Sequence, residues 1–270
     1  MTPQLLDRAP AQMRHAKRNA ADTALATAAR LWFLVAVIGQ SLLAIYVISF
    51  YGRAVLHHDL ARWNKVLAGG YVPGNQLGNF VLGLHLLLAV IITIGGPLQL
   101  IPQLRARLPA LHRWNGRIYF VTAFLTSLAG LYLVWIKGGT VGGLVQHIGV
   151  SINAILIMFC AAMALRYALA RQLAIHRRWA LRLYLVVSGV WFFRVGLLFW
   201  IIVNHGPVGF NPQTFEGPFL DFLTFAQYLL PLAVLELYLR TQDHAAAPGK
   251  YAMGIGIFGA TMGMWLPRIY

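Results

Sequence analysis

Long apolar runs limit what this chain can fold into. Several of them reach the ~20 residues that an α-helix needs to cross a hydrocarbon core of about 30 Å. Of the 270 residues, 59% are hydrophobic and 11% are charged, whereas soluble domains carry roughly 25% charged residues. The composition therefore predicts an all-α, polytopic bundle of transmembrane helices.

Six runs have the length of a span. They cover residues 31–51, 79–103, 114–136, 144–168, 179–203 and 220–239. In the second span, Pro97 follows two glycines and is expected to kink or locally unwind the helix. This pattern predicts a polar N-terminal segment (1–30), a single transmembrane domain (31–240) and a C-terminal tail (241–270).

The tail contains one further apolar segment, at 251–267. Three alternatives remain open for it: a seventh short span, an interfacial segment, or a helix packed on the bundle. If it is a packed helix, Gly259 and Gly263 are expected to provide the close contact with a neighbour.

The basic residues indicate how the spans are oriented. Of the Lys and Arg residues in loops, 17 fall in the segments 1–30, 104–117, 166–182 and 240–270, and 4 fall on the opposite side. The positive-inside rule then places both termini in the cytoplasm, which for a bacterial chain means a multi-pass protein of the inner membrane. The net charge of +15 does not indicate nucleic-acid binding, because the arginines lie between apolar runs and form no basic face.

A basic, histidine-led motif begins two of the spans. ALHRWNGRIYF covers residues 110–120, and AIHRRWALRLY covers residues 174–184. His112 and His176 lie 64 residues apart at the inner side, while His85 and His147 lie 62 residues apart near the outer side. The spacing predicts two copies of one hairpin, at 79–136 and 144–203, packed around a pseudo-two-fold axis along the membrane normal.

Such packing would bring His85 towards His147 and His112 towards His176. Facing imidazoles in a helical bundle can ligate a haem iron axially, so the four histidines are candidate iron ligands of two b-type haems. Small residues beside the outer pair would leave room for a flat macrocycle: Gly83, Gly142, Gly143 and Gly149. An electron carrier of this kind would exchange electrons with a quinone or another redox partner.

The motifs carry a family resemblance. The histidine order resembles that of the two-haem cytochrome b family reduced by ascorbate. The local sequence more closely resembles a bacterial membrane family catalogued as domain of unknown function 2306, through H-R-x-x-G-R-x-Y at 112–119, GPLQL at 96–100 and HRRW at 176–179. The resemblance covers roughly residues 75–240. It implies a multi-span membrane fold and no established activity.

Several arginines are further candidates for binding. Arg194 lies in the middle of the fifth span, where an ionisable group must pair or reach water, so we expect Glu216, Asp221 or an anionic ligand beside it. The arginines of the two motifs determine topology and are candidates to bind a lipid headgroup or a haem propionate. They are Arg113, Arg117, Arg177, Arg178 and Arg182.

Three functions are compatible with these features. The first is a haem-binding electron carrier, and the second is a colourless protein that binds a small solute or lipid in a polar cavity. The third is an accessory subunit whose basic loops dock a partner. The sequence contains no catalytic triad, P-loop or HExxH motif, and whether the protein is an enzyme stays open.

Overall fold

Helices joined by turns and loops make up the parts of the chain that the structure describes. A computed structural model describes residues 3–67, 69–138 and 142–265. Within these ranges there is no β-strand, only an isolated bridge between Asn211 and Glu216. The prediction of an all-α protein is confirmed. The α-helices are α1 (Pro3–Val47), α2 (Arg53–Leu56), α3 (Gln76–Leu100), α4 (Pro102–Arg107), α5 (Pro109–Tyr132), α6 (Leu144–Leu169), α7 (Leu173–Val187), α8 (Gly189–Val203), α9 (Pro218–His244) and α10 (Ala247–Trp265).

Five helical segments in the described ranges are long and apolar enough to cross a membrane. They contain α1, α3, α5, α6 and α9, and their ranges are Asn19–Leu56, Gln76–Leu100, Pro109–Lys137, Leu144–Leu169 and Pro218–His244. A multi-pass membrane protein is therefore confirmed. The first predicted span is part of a helix that begins far earlier, at Pro3, because the polar N-terminal segment is helical as well.

The fifth predicted span is not one helix. It consists of α7 and α8, which meet at Ser188 with a bend of 50°. The apolar periodicity of residues 179–203 contains no proline that would have indicated this break. Counted as one span, the two helices bring the candidate membrane spans in the described ranges to six.

The second span remains one helix. Of the two outcomes expected at Pro97, a kink or local unwinding, the unwinding does not occur, since α3 continues through this residue to Leu100. The glycines before the proline are instead sites of close helix packing. The Asn115 side chain on α5 donates a hydrogen bond to the Gly95 carbonyl over 2.9 Å, so part of the polar backbone in this turn has a partner outside the helix.

Residues 39–232 form one compact unit, which contains both motif-bearing hairpins. Within it α3 packs on α5 and α6 packs on α7, while α5 also contacts α6 and α3 also contacts α7. The shared core includes Tyr119 and Ala123 on α5, Cys160 on α6 and Val186 on α7. The four helices therefore surround a common centre where both copies of the motif end.

The terminal segments, residues 1–38 and 233–270, form the second compact unit. The apolar segment at 251–267 lies in α10 up to Trp265, and residues 266 and 267 are outside the described range, as is Arg268. α10 packs through Ile257 against Leu25 and Ala28 of α1, and Lys250 at its start pairs with Asp22. The expected contact through Gly259 and Gly263 is wrong, because both face open space, whereas Gly254 lies against Leu25.

Gly149 on α6 provides a test of the central packing. A Cβ atom at this position would lie 2.0 Å from Thr224 Cγ2 on α9. We expect Gly149→Ala to destabilise the protein by about 1–3 kcal/mol, which is the usual cost of overpacking. The measurement is thermal unfolding in detergent, where the midpoint is expected to fall.

Gly116→Ala on α5 is the matched control. Its added methyl group would meet only the Gln99 side chain, at 3.6 Å, so helix propensity is expected to leave the midpoint unchanged or slightly higher. Equal midpoints for the two variants would contradict this packing.

Candidate solute site at the helix break

The two motifs repeat a contact that the histidine spacing did not reveal. Arg117 lies over the Trp114 ring, with 4.9 Å from Cζ to the ring centroid, and Arg182 lies over the Trp179 ring at 4.8 Å. Both copies read W-x-x-R-x-Y, 65 residues apart. The two copies of the repeat therefore align by their Trp, Arg and Tyr residues. In this alignment His112 and His176 are out of register by one residue.

The tyrosines that end the motif meet at one glycine of α3. A Cβ atom on Gly96 would lie 3.2 Å from the Tyr119 hydroxyl oxygen and 3.0 Å from Tyr184 Cδ2. Only a residue without a side chain allows both rings to approach α3 this closely. The GPLQL stretch thus has a physical role, since its glycine receives one tyrosine from each hairpin.

The inner histidines lie near each other but differ in their surroundings. His176 donates a hydrogen bond from Nδ1 to the Ala164 carbonyl over 2.8 Å. The Nδ1 atom of His112 is buried and has no hydrogen-bond partner among the described residues. The two rings interact electrostatically, and Arg105 and Arg113 also act on His112. The structure therefore brings the inner pair together at the basic end of the bundle.

The outer histidines both pack against the first motif-bearing span, near the end of α5 and in the turn that follows it. His85 donates from Nδ1 to the Thr126 carbonyl over 3.1 Å, and its Cε1 lies 3.4 Å from the Cβ position of Gly130. The His147 ring stands edge-on to Trp135, with 6.0 Å between the ring centroids. Each histidine thus has an aromatic or backbone neighbour on the polypeptide between them.

The glycines beside the outer histidines do not leave a slot for a haem. The Gly149 position is filled by Thr224, and the Gly142 position is filled by the Gln146 side chain, at 2.6 Å. The Gly83 position abuts Trp63, and a Cβ atom on Gly143 would lie 3.7 Å from a Glu216 carboxylate oxygen. Among the residues that the structure describes, no group of three or more His, Cys, Asp or Glu side chains is arranged to hold a metal ion. A haem iron takes only two axial histidines, so the predicted haem stays a prediction, although the four glycine positions offer no open slot for it.

A polar cluster lies instead at the break between α7 and α8. The Ser188 hydroxyl donates to the Tyr184 carbonyl over 2.7 Å and accepts a hydrogen bond from Gln40 Nε2 of α1 over 2.9 Å. A serine hydroxyl that bonds back to the preceding turn bends a helix. The following residue, Gly189, permits the close approach of α6, because a Cβ atom there would lie 3.0 Å from Asn153 Nδ2.

Side chains of two other helices lie against the backbone of the break. Asn153 of α6 donates a hydrogen bond to the Val186 carbonyl over 3.2 Å. Gln227 of α9 lies beside Gly189, with 3.4 Å from its Oε1 atom to the glycine Cβ position, and donates to the Thr224 carbonyl of its own helix. Non-helical backbone persists at membrane depth only where protein or a water-filled cavity provides partners. Asn153 therefore provides one such partner for the break.

A small cleft lies next to the break. It lies between α1, α3, α5, α7 and α8, and its interior volume of about 10 Å³ has room for about one ordered water molecule. Six of the ten lining residues carry a hydrogen-bonding side chain, namely Gln40, Thr93, Tyr119, Tyr184, Ser188 and Trp191, and the others are aliphatic. Because the Tyr119 hydroxyl is buried without a hydrogen-bond partner among the described residues, the cleft can offer it to a ligand.

Sequence reasoning missed most of this cluster. Gln40, Asn153 and Gln227 are amides within apolar spans, and such residues are expensive in a membrane unless they have partners. That signal is present in the sequence, but the predicted site consisted of ionisable residues and did not include uncharged side chains. Ser188 carried no signal by itself, since serine is common within transmembrane helices.

Arg194 lies on α8, one helical turn beyond the cleft. Neither predicted carboxylate pairs with it, because no ion pair joins Arg194 to any described residue. Glu216 lies beside Gly143 at the start of α6 instead. The Arg194 guanidinium lies over the Tyr46 ring of α1, 5.9 Å from its centroid, and it also interacts electrostatically with Tyr51.

The central helices match a known family. Residues 82–214, slightly less than half of the chain, fit the family model described as a predicted membrane protein (DUF2306). The match supports the family that the motifs resemble, and both copies of W-x-x-R-x-Y fall within it. No curated protein matches the chain. No solved structure matches it either.

Asn153 tests how the helix break is stabilised. We expect Asn153→Leu to lower the free energy of unfolding by about 1–2 kcal/mol, because it leaves a buried carbonyl without its donor. The measurement is thermal unfolding in detergent. The control is Gln172→Leu, an exposed position before α7 whose side chain makes no capping hydrogen bond. An equal effect of the two substitutions would show that the amide does not support the break.

Proposed function

We propose that this chain is a membrane protein that binds a small polar solute in the cleft at the break between α7 and α8. The observation that carries the proposal is the interrupted span, which borders a cleft lined by six hydrogen-bonding side chains and by no charged one. Broken helices in membrane proteins occur where backbone faces a cavity, and transporters place their binding sites at such interruptions.

The size of the cleft bears on the mechanism. It has room for about one water molecule, so a larger solute requires one wall to move. The break supplies a place for this motion, because a hinge needs only a few residues at the end of an element. In the proposal α8 swings about Ser188 and Gly189, while Gln40 and Tyr119 offer hydrogen bonds to the solute.

The orientation in the inner membrane of a bacterium also remains a proposal. We place the arginine-rich ends of α5 and α7 at the cytoplasmic face, as the distribution of basic residues favours. The Trp114–Arg117 and Trp179–Arg182 pairs then lie at the height where aromatic and basic residues meet lipid headgroups. Both chain termini are cytoplasmic in this arrangement.

A b-type haem is the second candidate, and one feature favours it. His85 and His176 each donate Nδ1–H to a backbone carbonyl, which leaves Nε2 free and oriented as in metal-bound histidines. A bound haem would supply one-electron transfer to a quinone or another redox partner. The filled glycine positions beside the outer pair weigh against it, and we therefore place it after the solute site.

Cysteine labelling tests the water-accessible cleft. In a Cys160→Ala background, which has no other cysteine, we expect Thr93→Cys to react with a small water-soluble methanethiosulfonate reagent. The control is Ile94→Cys on the outer surface of the same helix, where Ile94 is 48% exposed. Its thiol would face lipid, where the reactive thiolate is suppressed.

The expected difference in labelling rate is at least about tenfold, which corresponds to one pKa unit of thiolate suppression. Equal slow labelling of both cysteines would show that water does not reach the cleft, and the proposed site would then be wrong.

An absorption spectrum separates the two candidates. The solute proposal predicts that the detergent-purified protein is colourless and shows no Soret band before or after dithionite. A Soret band that shifts on reduction and disappears in His85→Ala or His147→Ala would instead establish the haem and overturn the preference for a solute site.

A further inference from the structure

We infer that the solute is a small monocarboxylate, with its carboxylate bound by Arg194 and its neutral, hydrogen-bonding end in the cleft. This inference rests on the proposed solute site and adds the chemical class of its ligand. It starts from a charge that the fold leaves without a counter-ion: Arg194 lies within a membrane-spanning segment and forms no ion pair with a described residue.

The position of Arg194 connects it to the cleft. Val190 of α8 lines the cleft, and Arg194 follows it by four residues, so both lie on the same face about 6 Å apart along the helix. On α1 a step of three residues leads from Leu43, which lines the cleft, to Tyr46, whose ring lies under the guanidinium. Residues of both α1 and α8 that line the cleft are therefore followed, one turn further on, by the pair of Tyr46 and Arg194.

The surroundings of Arg194 select the charge of the ligand. A guanidinium presents parallel N–H donors that match a planar carboxylate. Each charge that leaves water costs desolvation free energy, so a dianion such as phosphate is more costly to bury than a monoanion. A monoanion therefore suits a site within the bundle better. The Tyr46 ring holds the cation from one side, and the ligand supplies the missing negative charge.

The cleft selects the other end of the ligand. Its side chains provide hydroxyl and amide groups but no charge, so they bind a neutral hydroxyl or carbonyl group. The spacing of about 6 Å between the two subsites corresponds to a short chain. A compact hydroxy or keto acid has this combination of groups, whereas a fatty acid has only the carboxylate.

Binding measurements on the full-length protein in lipid nanodiscs test the inference. We expect 4-hydroxybutyrate to bind by isothermal titration calorimetry, and butyrate and 1,4-butanediol to bind at least about tenfold more weakly, because each lacks one of the two groups. Inorganic phosphate is expected not to compete. Tighter binding of phosphate, or of octanoate from the membrane, would overturn the inference.

Two variants test whether Arg194 binds the carboxylate of the ligand. Arg194→Gln is expected to weaken 4-hydroxybutyrate at least about tenfold while leaving 1,4-butanediol unchanged. Arg53→Gln, at an exposed arginine of α2, is expected to bind both as the wild type does. Unchanged affinity in Arg194→Gln would contradict the role of this residue.

The ligand series on the wild-type chain keeps the test valid if Arg194→Gln does not fold.

The labelling of Thr93→Cys distinguishes a failure of the proposed solute site from a failure of the monocarboxylate inference. If this cysteine reacts and no carboxylate binds, the cleft stands and the monocarboxylate is wrong. If it does not react, the solute site itself is wrong.

Discussion

The fold depends on how the backbone is satisfied where the fifth crossing is interrupted. Inside a membrane every unpaired N–H or C=O group costs several kcal/mol. Side chains from three other helices surround the break at Ser188. Asn153 of α6 donates to the Val186 carbonyl, Gln40 of α1 donates to the Ser188 hydroxyl, and Gln227 of α9 lies beside Gly189. Of the three amides, Asn153 is therefore the one that pairs with the backbone of this turn.

The repeated motif provides the second constraint, which is steric. Tyr119 and Tyr184 reach Gly96 from opposite hairpins, so α3 stands where the two copies converge. The same two tyrosines line the cleft. The packing of the repeat therefore also forms the polar site, because the two tyrosine rings that pack at the centre of the bundle line the cleft.

Much of the fold was predictable from hydropathy, and the site was not. Apolar runs of sufficient length located α3, α5, α6 and α9, because membrane helices must satisfy their own backbone. The break in residues 179–203 escaped prediction, since it depends on a serine hydroxyl and on partners distant in the sequence. The histidine spacing indicated the two hairpins whose packing the W-x-x-R-x-Y register defines, and the haem that it predicted stays a prediction.

Local patterns also failed where the neighbouring helix decides the outcome. Pro97 does not unwind α3, and Gly254 rather than Gly259 makes the close contact of α10. Arg194 was expected beside Glu216, Asp221 or an anionic ligand, and its neighbour is instead the Tyr46 ring. Such pairings depend on rotation and register between helices, which a single sequence does not specify.

The central claim is that water reaches an interrupted backbone in the middle of the bundle. Hydrogen–deuterium exchange of the protein in nanodiscs tests it directly, since amide protection reports local opening and solvent contact. The account predicts that the amides from Tyr184 to Trp191 exchange at least about tenfold faster than those from Asn153 to Cys160, on the unbroken helix at the same depth. Equal and complete protection of both segments would contradict it.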